Sequence, residues 1–148
     1  MHHQHTATLS GRALLDAMAS KADLATLHNA NLAGCGLTAF PIDTLRLSSL
    51  AVLSLFDNQL TDIPSDISQL RLLRTLNLSQ NRLSTVPQSI GTMEHLEMLD
   101  LGHNRLVLAV PALRHIRLPH GLEVHRHFAR SRSHRLPPRG MSRFVKLT

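Results

Sequence analysis

Eleven histidines and one cysteine are the residues with the widest chemical scope in this 148-residue chain. His115, His120, His125, His127 and His134 crowd one stretch, and imidazole is a common ligand for zinc and copper. Their spacing brings neither a second cysteine nor a helix carrying a carboxylate beside them, so it matches no zinc set. Met1-His2-His3 is a different case, because a free amine, amides and a third-position imidazole form the tetragonal nitrogen site that Cu²⁺ favours. Histidines clustered at a chain end also read as an incidental or tag-like feature. The expectation is no resident metal and no cofactor.

Catalytic sets fare no better. The chain has no Gly-rich phosphate loop, no nucleophile elbow, and no histidine paired by motif with a serine, cysteine or acid. Asp57, Asp62, Asp66 and Asp100 fall at outward or turn positions, where single carboxylates serve solubility. No enzyme activity is expected.

The arginines are concentrated. Residues 1–113 carry seven Arg or Lys against nine acids, whereas residues 114–148 carry nine against Glu123 alone. The net charge of +6 therefore belongs to the tail, and the rest is close to neutral. Arg126, Arg130, Arg132, Arg135, Arg139 and Arg143 read first as a solvated charged tail. The alternative is nucleic-acid or acidic-membrane binding through phosphate neutralisation. Only Phe128 and Phe144 lie nearby, which makes no stacking platform.

These groups sit on a chain of one domain's length whose core must be aliphatic, since Trp and Tyr are absent and Phe occurs four times. The lone Cys35 excludes an intrachain disulfide, and small secreted proteins lean on several. The setting expected is cytoplasmic, with nuclear as the alternative. Met1 to Leu27 is interrupted by Asp16, Lys21 and Asp23 and gives neither a signal-peptide core nor a membrane span.

What positions the candidate residues is a repeat of 23 residues. Leu50, Leu53, Leu55, Asn58 and Leu60 recur as Leu73, Leu76, Leu78, Asn81 and Leu83, then as Leu96, Leu99, Leu101, Asn104 and Leu106. The second halves recur as well: Ile63, Pro64, Ile67 and Leu70 become Val86, Pro87, Ile90 and Met93. A degenerate earlier copy runs Leu27, Ala30, Leu32, Cys35, Leu37, Phe40, Pro41, Thr44 and Leu47. In Leu53-Ser54-Leu55 the leucines point one way and the serine the other, because side chains alternate along a strand. So short a strand cannot stand alone; stacked units pair their strands in parallel and bury one another's leucines, at about 0.8 kcal/mol per CH₂. Asn58, Asn81 and Asn104 close each strand where the chain turns, and an amide there can satisfy backbone groups that no strand reaches. They are expected to form a buried structural ladder, with Cys35 in the first rung's place. Pro41, Pro64 and Pro87, lacking an amide hydrogen, suit the irregular outer wall.

Over residues 24–113 the sequence resembles the leucine-rich-repeat family, in its small intracellular form with LxxLxLxxNxLxxIPxxIxxL units. The resemblance implies an α/β solenoid of four to five short parallel strands and tolerates cysteine at the ladder position. It also implies that another protein or peptide is bound on the concave strand face, as by an adaptor, scaffold or regulatory subunit. By register the outward residues are Val52, Ser54, Phe56 and Asp57; Thr75, Asn77, Ser79 and Gln80; and Met98, Asp100, Gly102 and His103. Phe56 and Met98 are the best anchors, since large or adaptable apolar side chains on a rigid surface make hot spots. Four strands at ~4.8 Å give a face under ~20 Å wide, suited to a small surface or a peptide.

Solenoid ends expose core and need covering. Residues 1–9 read as a flexible start and 10–26 as a capping helix, with Ser10 as N-cap and Leu14, Leu15 and Met18 as its apolar stripe. The repeats fill 27–118, although Val110-Pro111 arrives one residue late. Residues 119–148 form the basic tail. Within it Leu122-Glu123-Val124 falls at the offset of a worn closing strand, and weak order is expected after it.

Overall fold

The computed structural model describes residues 9–106 and two further strands, at 123–126 and 144–147. Strands β1 (Leu9–Ser10), β2 (Asn29–Asn31), β3 (Val52–Ser54), β4 (Thr75–Asn77), β5 (Met98–Asp100), β6 (Glu123–Arg126) and β7 (Phe144–Leu147) lie in one parallel sheet, ordered β1-β2-β3-β4-β5-β7-β6. From β2 to β5 each step of the sheet is one repeat: Asn29 lies beside Val52, Val52 beside Thr75, and Thr75 beside Met98.

The register puts the central residue of every strand in one inward row. Ala30, Leu53, Leu76 and Leu99 occupy it, and all four are completely buried. Leu32, Leu55, Leu78 and Leu101 make a second row just beyond the strands. The outer wall supplies the opposite side of the core through three 3₁₀ segments, Ile42–Arg46, Ser65–Gln69 and Gln88–Thr92. Each begins after one of the repeated prolines, Pro41, Pro64 and Pro87, with φ between −73° and −68°. The ring fixes that angle, and the missing amide hydrogen costs nothing at a helix start. From the middle of these segments Thr44, Ile67 and Ile90 reach inward. Thr44 is the polar exception in the degenerate unit, and its hydroxyl donates to the Pro41 carbonyl at 2.7 Å. That bond lets it be buried without an unpaired oxygen.

At the N-terminal end α1 (Gly11–Ala19) lays Leu14 and Met18 over the first coil, as the apolar stripe requires. Ser10 makes no side-chain capping bond, contrary to expectation. It belongs instead to β1, beside Asn31, and the chain passes from strand to helix in one step because Gly11 takes φ +56°. A left-handed residue at that junction favours glycine.

The other end departs further from expectation. Glu123–Arg126 is a strand, as the repeat offset suggested, but it forms the outer edge of the sheet. Phe144–Leu147, in the stretch expected to be weakly ordered, lies between it and β5. Parallel pairing needs a crossover and not a neighbouring segment, and β7 pairs with β5 at an offset of 46 residues, two intervals of the repeat where one was expected. The late Val110-Pro111 pair lies outside the described residues.

Candidate binding face

The outward side of β2–β5 carries two rows of side chains. One runs Asn29, Val52, Thr75, Met98, and the other Asn31, Ser54, Asn77, Asp100. Only Asp100 among these eight bears a charge. Met98 is 39% exposed, while Val52, Ser54, Thr75, Asn77 and Asp100 are half-buried. Asn29 and Asn31, which the register reading left out, are exposed on the same face. Subtracting one repeat from Val52 and Ser54 would have found them.

The second row also has a backbone task. Asn31 accepts from the amide of Ala33 at 3.0 Å, Asn77 from that of Ser79 at 3.0 Å, and Asp100 from that of Gly102 at 2.9 Å. A side chain bonding the backbone two residues ahead turns the chain out of the strand. Among the described residues nothing else takes the amide hydrogens of Asn31 and Asn77 or the second oxygen of Asp100.

Beyond the strands the expected outward set divides. Asp57, Gln80 and His103 are exposed and Phe56 is half-buried, but Ser79 is only 6% exposed. Its hydroxyl donates to Asn77 Oδ1 at 2.6 Å, so Ser79 is a structural residue and drops out of the accessible face. Gly102 is buried as well. Strand alternation had been carried past the point where the strand ends and the chain turns.

The turn repeats as faithfully as the leucines. Gly34, Asp57, Gln80 and His103 stand one repeat apart and all have φ between 53° and 63°. Asp and His visit this left-handed region more readily than most residues, and Gln pays about 1 to 2 kcal/mol there. Gln80→Gly is therefore expected to raise stability by roughly 0.5 to 1 kcal/mol, once glycine's freedom in the unfolded chain is set against the relief. Urea unfolding measures it, and a loss of stability would show that the Gln80 side chain holds the turn.

Behind the turn lies the ladder. Asn58 accepts from the amides of Cys35 and Leu37 and donates to the carbonyls of Leu32, Leu55 and Phe56. Asn81 accepts from Leu60 and donates to Leu55, Leu78 and Ser79; Asn104 accepts from Leu83 and donates to Leu78, Leu101 and Gly102. Every rung ties two coils together. Cys35 stands in the first rung's place, half-buried, but its thiol reaches only the Ala33 carbonyl, at 3.6 Å. A thiol is a weak donor and cannot span two coils as an amide does. On the entry side of the strands Arg74 and Glu97 pair across neighbouring coils at 2.6 Å, both partly exposed. Such a pair contributes about 0.2 to 1 kcal/mol and weakens with salt.

Among the described residues no three His, Cys, Asp or Glu side chains converge as a metal site would need. Five of the six tail arginines and the Met1-His2-His3 segment lie outside those residues, and Arg126 falls in β6. The described surface thus brings together a mostly uncharged patch built on rigid, paired backbone.

Comparison with known proteins agrees with this geometry. The family model described as leucine rich repeat matches residues 25–83 and again 48–106. No curated protein sequence matches the chain. Among solved structures, a leucine-rich-repeat protein of Leptospira interrogans is similar with 34% identity and a TM-score of 0.57, over 62% of this chain and 23% of that one. The Arabidopsis receptor kinase HAESA, solved with the peptide hormone IDA and the co-receptor SERK1, is similar with 31% identity and a TM-score of 0.53, over 78% of this chain and 17% of that one. The chain thus spans less than a quarter of the length of either.

Proposed function

Since the chain belongs to the leucine-rich-repeat family, we propose that it works as a protein-interaction module that takes a peptide or a small protein surface on the outward face of β2–β5. Proteins of this family are generally binding modules and not enzymes. One observation carries the proposal for this chain: four strands fully buried on one side present, on the other, a nearly uncharged surface with Met98 39% exposed. A rigid patch depleted of charge, with an adaptable apolar side chain beside a single acid, is what protein interfaces use at their centres. The peptide hormone in the HAESA complex shows that a structurally similar protein is solved with a peptide ligand. An adaptor, scaffold or regulatory role follows from such a face, and a cytoplasmic or nuclear setting is part of the same proposal, with Cys35 as a free thiol.

The test starts from what co-purifies with the full chain under native conditions, followed by titration with the partner so identified. Met98→Ala and Thr75→Arg are each expected to weaken binding about tenfold or more, since an interface anchor contributes upwards of ~1.4 kcal/mol. Gln88→Ala, on the outer wall, is the control and leaves affinity unchanged. Affinity that survives both face variants, in proteins with unaltered melting, would move the interface elsewhere.

A further inference from the structure

We infer that Arg82 and Arg105 form an anion site on the exit side of the strands, which takes the phosphate of a phosphoserine or phosphothreonine in the bound partner. This rests on the reading of the outward face as an interaction surface and adds a chemical requirement to its partner.

The repeat makes the two arginines neighbours. The amides of Gln59, Arg82 and Arg105 donate to the carbonyls of Leu37, Leu60 and Leu83 at 2.8, 2.9 and 2.9 Å, so the three residues hold the same place on successive coils. Coils joined in this way stand about 4.8 Å apart, and both arginines are exposed. Elsewhere the repeat sets unlike charges side by side. Arg74 pairs with Glu97 one coil on, and the same interval puts Arg71 against Glu94. Arg12 and Arg46 pair with Asp16 and Asp43 along the chain. Arg82, by contrast, has Gln59 on one side and Arg105 on the other. Among the described residues neither arginine pairs with an acid. Like charges held together on a rigid scaffold repel, which favours an anion between them.

The surroundings supply further donors. On the same two coils Gln80, Ser84 and His103 are exposed, while Asp57 and Asp62 belong to the coil before. Asp100 precedes the left-handed turn at His103, and its Oδ1 is taken by the Gly102 amide. A carboxylate carries one charge and is satisfied by a single guanidinium in a bidentate pair. A phosphate monoester carries about two charges near neutral pH and offers three acceptor oxygens, enough for two guanidinium groups at once. The doubled arginine therefore selects phosphate over Asp or Glu. Continuity with the face makes the partner its source, because Gln80 and His103, at the rim, stand two residues before Arg82 and Arg105. A phosphorylated residue just beyond a peptide seated on Thr75 and Met98 would reach the pair.

Nuclear magnetic resonance titration of the full chain tests this with a blocked glycine-phosphoserine-glycine peptide, at low ionic strength where such contacts are least screened. The probe is expected to shift the side-chain N–H signals of Arg82 and Arg105 and to bind about tenfold more tightly than the same peptide with glutamate. Arg82→Gln and Arg105→Gln each weaken it roughly three- to tenfold, and together they abolish it. Both variants melt no lower than the unaltered chain, since a repulsion is relieved. Arg71→Gln, on the entry side, leaves the titration unchanged. Met98→Ala leaves it unchanged as well, so a failure of the face as an interface and a failure of the anion site give different results. Equal affinity for the glutamate peptide, or probe binding indifferent to both substitutions, would overturn the proposal. So would anionic vesicles or single-stranded oligonucleotide held through these two arginines while the phosphoserine peptide is not.

Discussion

Leu76→Ala lowers the free energy of unfolding by about 2 to 5 kcal/mol, read as a shift of the urea midpoint at unchanged slope. Leu76 sits on β4 with Leu53 on one side and Leu99 on the other, all three fully buried. A cavity opened there is walled by strands whose backbones are already paired on both edges, so neighbours cannot close it by sliding. The upper half of that range is expected for this reason. Ile63, 7% exposed at the outer wall, gives the comparison: Ile63→Val removes one methylene and costs about 0.5 to 1.5 kcal/mol. A Leu76→Ala midpoint indistinguishable from that of the unaltered chain would mean that the coils do not share one core.

The second large effect comes from the ladder. Asn81→Leu is expected to cost about 1 to 3 kcal/mol, and the origin can be assigned to one group. Of the backbone atoms that Asn81 serves, the Leu55 carbonyl keeps Asn58, the Leu78 carbonyl keeps Asn104, and the Ser79 carbonyl keeps the Asp57 amide. Among the described residues the Leu60 amide has no other partner, so it is left buried and unpaired. Sharing of carbonyls between consecutive rungs then makes the rungs interdependent. Asn58→Leu combined with Asn81→Leu removes both donors to the Leu55 carbonyl, so the double variant loses more than the sum of the single ones. A double-mutant cycle with thermal or urea unfolding measures this coupling, and strict additivity would contradict the shared-carbonyl arrangement.

The solenoid was readable because its dominant force repeats. Each leucine of the inward rows meets the same demand one coil further on, so the interval of Leu53, Leu76 and Leu99 in the sequence is the step of the sheet itself. The outward face was readable only as far as strand alternation reaches. It puts Val52, Thr75 and Met98 on the outward side of the sheet, as the structure does, and fails at Ser79, which is buried in the turn that Asn77 makes. Such a turn arises from a side chain bonding its own backbone, and no apolar periodicity reports that. Ser10 misled for a related reason, since a serine before a helix reads as a cap whether or not a strand has claimed it. The place of Phe144–Leu147 was not readable from local pattern, because Phe144, Val145 and Lys146 each pair with a residue 46 positions earlier, two intervals of the repeat and not one.

One consequence of the left-handed turn concerns how such a surface can change over generations. Glycine, aspartate, glutamine and histidine adopt nearly the same backbone angles at 34, 57, 80 and 103, so the surrounding coil dictates the conformation and tolerates widely different occupants. Three of the four occupants project an exposed polar side chain at the rim of the face. Substitution at these sites would alter what the rim of the face presents while leaving the scaffold's shape intact, for a penalty that is absent for glycine, small for aspartate or histidine and about 1 to 2 kcal/mol for a residue such as glutamine. Selection for new ligands would find its least constrained raw material there.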